Sequence, residues 1–267
     1  MTMHAIAFAR ASGLSYVHTP FAAIAHPEKD MAHWAADWEA LFNLGAGEAP
    51  CEGGRHEVVN YGYNFSDIEL GFGWGGRRDE LAICFKNAVP EFRRKYYLNK
   101  STRTTRELRV AVHVRRGDVA ADRNDHLYTS TRTIRRTVAL VKAMLDTHNI
   151  AHALGIYSQG KIADFAELSV FGAELFTDVD AVWTMQELIK ADVLIMAKGS
   201  FSYCAGLISG GIKIFEPYGL PLDDWILRDP DGSFDCAAFE RQLFLFMERR
   251  NTNAASIEPV SGESRNV

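Results

Sequence analysis

From residue 108 onward, apolar and polar positions alternate between two periods. Over residues 108–114 the period is two, with Val110, Val112 and Val114 on one side and Ala111, His113 and Arg115 on the other. That is the mark of a strand. Over residues 131–146 the period becomes 3.6, with Ile134, Val138, Val141 and Leu145 on one helical face. Further strands are predicted at residues 153–157, 174–176, 193–196 and 213–215. Between them the pattern predicts helices after Gly160, at residues 182–190 and from about Ser200. Strands that alternate with helices at this spacing predict a parallel, Rossmann-like sheet. A last helix, residues 236–249, is expected to cross back over the first half.

The first hundred residues are less regular. A short helix at residues 3–11 breaks at Gly13 and precedes a strand at residues 14–18. Residues 30–44 read as a helix in which Met31, Trp34, Trp38, Leu41 and Phe42 form a stripe, with Gly45 as its stop. Packing in a core explains that stripe better than an aromatic platform for a sugar. Residues 45–76 have no period and read as loops with one or two short strands. Two helices are predicted at residues 77–86 and 90–98, because Pro90 suits a first helical position. The polar run 99–106 is the expected hinge. The chain thus divides into 1–105, 106–235, a C-terminal helix at 236–250 and a disordered tail at 251–267 that lacks bulky apolar groups.

Composition narrows the function classes. The 267 residues are 47% hydrophobic and 24% charged, which is ordinary for a globular chain with a substantial core. A net charge of −5 argues against a general nucleic-acid or membrane-surface role. Ten basic residues nevertheless fall between Lys86 and Arg116, against Glu91 and Glu107. A solvated linker, a steering field for an anion and an RNA surface are the three explanations, the first suiting most of them. Cys51, Cys84, Cys204 and Cys236 are widely spaced, so neither zinc nor a disulfide scaffold is expected. No apolar run is long enough to span a bilayer and no signal-peptide pattern opens the chain, so the expected compartment is reducing and cytoplasmic.

Candidate chemistry gathers where strands end. In open α/β sheets the carboxyl ends of strands line the ligand crevice. Arg115 and Arg116 follow the first strand of the second half, and a guanidinium pairs with phosphate through two hydrogen bonds. Gly117 allows a sharp turn, and Asp118 can hold one guanidinium from behind. A solvated turn is the plain alternative. Ser158 to Lys161 read more simply as a turn. Ser200 and Ser202 open a helix whose free amides and dipole favour an anion; plain capping by Ser200 is the alternative. Asp178-Val179-Asp180 matches the Asp-x-Asp pair that holds Mn²⁺ on a nucleotide diphosphate, but a double-arginine site can neutralise that charge without metal.

His113-Val114-Arg115-Arg116-Gly117-Asp118 resembles the His-x-Arg-Arg-x-Asp peptide of the superfamily of α1,2-, α1,6- and protein O-fucosyltransferases. The block Ala191 to Tyr203 resembles that family's later strand and Ser-Phe-Ser helix start. The likeness covers residues 106–216. It implies an α/β, GT-B-like fold of two Rossmann-like halves, the parallel sheet in the C-terminal half and the N-terminal half incomplete, for the family's Gly-rich N-terminal motif has no counterpart. It also implies inverting transfer of fucose from GDP-fucose to a glycan or other hydroxyl acceptor, with no metal or other cofactor. By position, Arg115 would stabilise the departing diphosphate, with Arg116 and Asp118 in support. His113 would contact the guanine or its sugar, and Ser200, Phe201 and Ser202 would lie near the phosphates. The family's nucleotide-contacting aspartate falls on Thr184. A catalytically silent nucleotide-binding or regulatory protein is the alternative. Glu57 and Asp67 are candidate bases by location alone.

Overall fold

The computed structural model describes residues 2–50, 78–100 and 105–255. Its second half is a six-stranded, wholly parallel sheet: β3 (Leu108–Val114), β4 (His152–Ser158), β5 (Glu174–Thr177), β6 (Val193–Ile195), β7 (Ile212–Phe215) and β8 (Ile226–Leu227). Their spatial order is β5-β4-β3-β6-β7-β8. The chain therefore builds outward from β3 in one direction, returns, and builds outward from β6 in the other, the Rossmann-like order.

The alternation read from β3 decides which helices cover which face. Val110, Val112 and Val114 enter a core with Ile134, Val138, Val141 and Leu145 of helix α4 (Thr131–Thr147). Phe239 and Leu243 of α8 (Cys236–Ala255) join the same core. Ser130 caps α4 by accepting from the Thr133 amide. The opposite face of the sheet, carrying Ala111, Tyr157, Leu194 and Phe215, is covered by α6 (Ala181–Ile189) and α7 (Ser200–Ile208). Between β4 and β5 a 3-10 turn and the single-turn helix α5 (Ala166–Ser169) replace the expected longer helix.

The first half adds a layer over α6 and α7. It comprises α1 (Thr2–Ala11), α2 (Met31–Phe42), α3 (Arg78–Tyr97) and a parallel two-residue ladder, β1 (Val17–His18) with β2 (Ala49–Pro50). Ile6, Trp34, Trp38, Phe92 and Tyr96 share one core with Met185, Leu188 and Leu207. Among the described residues this half holds no further sheet. The expected loops at 51–76, with Glu57 and Asp67, lie outside the described residues, as do residues 101–104 of the hinge.

Several expected boundaries change for local reasons. The strand predicted at 14–18 shrinks to two residues because residues 12–14 close α1: the Ser12 amide donates to Phe8 and that of Leu14 to Ala9. Helix α2 stops at Asn43, which adopts a left-handed φ of 53°, two residues before Gly45, and its Met31 is exposed rather than part of the buried stripe. β8 has too few residues to register as a pattern. The tail loses residues 251–255 to α8, and the remainder, 256–267, lies outside the described residues.

The two helices expected on either side of Pro90 are one, α3. Phe85, Ala88, Val89, Phe92 and Tyr96 are all buried and carry a single stripe past the proline. Their packing outweighs one missing backbone hydrogen bond. Pro90 itself is exposed, so Pro90→Ala restores a donor without touching the core. It is expected to raise the unfolding free energy by about 1–3 kcal/mol in denaturant titration.

Candidate functional site at the switch point

Strands β3 and β6 are neighbours, in register from Val110 opposite Val193 to Val112 opposite Ile195. Beyond them one segment leads to α4 and the other to α7, on opposite faces of the sheet. The separation leaves a crevice at their carboxyl ends. Arg115 bridges it. Its Nη2 donates to Asp118 Oδ2 at 2.7 Å, and its Nη1 donates to the Lys198 carbonyl at 3.2 Å. The guanidinium is thus held from both sides, and its hydrogen bond keeps the Asp118 carboxyl below the usual carboxylate range.

Two glycines make this approach possible. Gly117 turns with φ +82°, and a Cβ there would lie 2.4 Å from Gln159 Oε1 in the loop after β4. At Gly199 a Cβ would lie 2.8 Å from Arg115 Nη1. Gly199 is also the N-cap of α7 and supplies no side chain. Ser200 is therefore the exposed first residue of the helix rather than its cap, and the Ser200, Phe201 and Ser202 amides have no acceptor within α7. Ser200 stands two residues beyond the Lys198 carbonyl that accepts from Arg115.

The other expected site residues divide. Ser202 is fully buried, and its Oγ accepts from the Ala197 amide at 3.1 Å and meets His113 Nδ1. Phe201 packs 5.3 Å from the His113 ring and 6.1 Å from Trp38, ring centre to centre. Arg116 parts from Arg115, as consecutive residues do when they leave an extended strand. Its guanidinium donates to the Thr129 carbonyl at 3.0 Å and stacks 4.5 Å over the Tyr128 ring. The expected pair of arginines is one arginine in the crevice and one that fastens the 128–131 segment. Thr184 is buried in the first turn of α6, and among the described residues no hydrogen bond joins it to the arginine loop.

Both acids of the Asp-x-Asp pair serve the backbone. Asp178 Oδ1 accepts from the Gly160 amide, and Asp180 caps α6 by accepting from the Trp183 amide. Among the described residues no three His, Cys, Asp or Glu side chains cluster as metal ligands do, and Cys204 and Cys236 are free thiols. The basic run divides. Lys95 is buried against Glu48 at 2.8 Å and Arg93 donates to the Ser209 carbonyl at the end of α7, so neither belongs to a solvated linker, whereas Arg94, Arg106 and Lys86, the last paired with Asp223, are exposed.

One cluster was not anticipated. Glu216, just after β7, is buried and accepts from Arg228, Thr129 Oγ1 and Lys198 Nζ, the last at 3.0 Å. Burial raises its carboxyl pKa, but the Arg228 charge and the two further donors outweigh that and hold it below its usual value. Its place after a strand end, by the rule that pointed to Arg115, was the available signal.

Fold and site define a Rossmann-like α/β protein whose positive groups gather at the switch point. No family model matches the chain, and no curated protein matches it. Among the described residues no helix is long and apolar enough to cross a membrane.

His113 tests the crevice's electrostatics. Burial first, then the Arg115 charge, lowers its pKa from 6.5 to about 4. Between those values the unfolded chain takes up a proton that the native chain refuses. The unfolding free energy is therefore expected to fall as pH drops from 6.5 towards 4. His113→Gln should flatten that slope, and His4, lowered to about 3 chiefly by burial, should leave a residue of it. Gly199→Ala should displace the Arg115 guanidinium, seen as loss of its bond to the Lys198 carbonyl in a crystal structure of the variant.

Proposed function

We propose that the chain is a glycosyltransferase of the fucosyltransferase type, transferring fucose from GDP-fucose with inversion to a glycan or other hydroxyl acceptor. The carrying observation is the fixed Arg115 guanidinium beside the N-terminus of α7, where Ser200 is exposed. Positive charge aimed at one spot before reaction stabilises a leaving diphosphate more than it stabilises the bound ester. The acceptor hydroxyl loses its proton to a base as its oxygen attacks the anomeric carbon, the bond from that carbon to the β-phosphate oxygen breaks, and the charge that grows on the departing oxygen meets Arg115. Asp118 holds the guanidinium in place. His113 and Phe201 offer a neutral flank suited to the nucleoside, and no divalent ion is required. The two-halved GT-B arrangement and a cytoplasmic location belong to the same proposal.

Titration calorimetry in EDTA tests it. GDP and GDP-fucose are expected to bind in preference to UDP and ADP, and Arg115→Ala should weaken GDP binding by about tenfold to a hundredfold, the worth of a charged hydrogen bond. Fucose transfer in an acceptor screen would follow. Binding without turnover would favour the silent nucleotide-binding alternative, and binding that requires Mn²⁺ and ignores Arg115 would overturn the proposal.

A further inference from the structure

The charges on the rim are unequal. Arg115 is matched by Asp118, and Arg228 by Glu216. Glu216 and Arg228 are both buried and close one pair between themselves, with Thr129 adding a hydroxyl donor to the same Glu216 oxygen as Arg228. Two further positive charges are held on the wall beside them. Arg116 meets only carbonyls, the Thr131 hydroxyl and the Tyr128 ring, and it is fixed on the 128–131 segment. Lys198 is the other.

Lys198 lies between the two halves of the crevice wall. Its carbonyl accepts from Arg115, and the next residue is the cap of α7. Its ammonium donates to Glu216 Oε1 at 3.0 Å and, weakly, to the Tyr128 carbonyl at 3.4 Å. An ammonium has three donors, so one is left over. The side chain retains 19% of its accessible surface, against 7% for Glu216, so the ammonium is not sealed off. If it moved towards a ligand, Glu216 would keep Arg228 and Thr129 and would not be stranded as a buried, unpaired charge.

We propose that Lys198 is a second anion-binding residue of the crevice, supplying the charge for the second phosphate of a diphosphate, with Glu216 as its resting partner. The sequence pointed to a double-arginine clamp; in its place the fold sets one arginine and one lysine, on neighbouring strand ends. This rests on the reading of the crevice as a diphosphate site. A lysine suits the role, since its point charge on a flexible stem can follow a leaving group, whereas the fork of Arg115 is fixed by its two partners.

The experiment compares wild type, Lys198→Met, Lys198→Arg and Arg115→Ala, in EDTA, with GDP, GMP and inorganic pyrophosphate, after thermal melts establish that each is folded. Lys198→Met is expected to weaken GDP by about tenfold, one charged hydrogen bond, while GMP changes little. Lys198→Arg should recover most of the loss. Equal losses for GDP and GMP would show that the lysine only braces the loop, and an unchanged GDP affinity would remove it from the site; either overturns the proposal. Should wild type bind pyrophosphate but no nucleotide, the nucleotide reading fails, and sensitivity of pyrophosphate to Lys198→Met alone decides for or against Lys198. Binding of none of the three ligands overturns both.

Discussion

Two parallel strands that lie side by side and release the chain to opposite faces of one sheet are the constraint on which the rest of this structure depends. β3 leads to α4 and its core of Val110, Val112 and Leu145, while β6 leads to α7 and the core that holds Leu194 and Leu207. Neither segment can cover the gap between them, because each is drawn towards its own apolar layer. The crevice is thus a by-product of burial on both faces. What fills its edge follows: Arg115 spans from one loop to the other, and Gly117 and Gly199 are glycines because a side chain on either would meet Gln159 or Arg115.

Charge in such a place is costly unless each group is paired. The rim meets that requirement in layers. Glu216 and Arg228 lie deepest and neutralise each other, and their position fixes the end of β7 against the end of β8. Nearer the surface Arg115 is matched by Asp118, whose partial exposure leaves the pair accessible to solvent and to a ligand. Arg116 and Lys198 then meet on consecutive residues, Arg116 at the Thr129 carbonyl and Lys198 at that of Tyr128. A segment with no regular structure is held by two cations, and it holds them in return. This is preorganisation in the physical sense: the dipoles and charges are already oriented when a ligand arrives.

The sheet was legible because its strands are short apolar runs that alternate with helices. Val110, Val112 and Val114 alternate without exception, and the α4 stripe repeats at helical spacing, so period alone placed both. Local rules failed where packing over a longer range decides. Pro90 looks like a helix start when only its own ring is considered, yet five buried residues on one face carry α3 through it. Met31 fits the α2 spacing but meets no layer on its side. At the site, Arg115 and Asp118 were legible because they lie three positions apart on one turn. Glu216, Lys198 and Arg228 were not, for their partnership spans three separate strand ends, and only the order of strands brings those ends together.

His113 joins the core shared with the first half to the charged rim. Its ring touches Phe201, and Phe201 meets Trp38 of the first-half layer, so an aromatic line runs from α2 to the crevice. Ser202 Oγ accepts from the Ala197 amide, which anchors it to the segment that ends β6, and shares a further hydrogen bond with His113 Nδ1. A cationic imidazole would face Arg115 as a like charge. Neutrality at His113 therefore confines the positive field of the crevice to groups that can reach a ligand. The depressed pKa is thus a consequence of the same arrangement that sets Arg115 across the gap, and disturbing either should disturb the other.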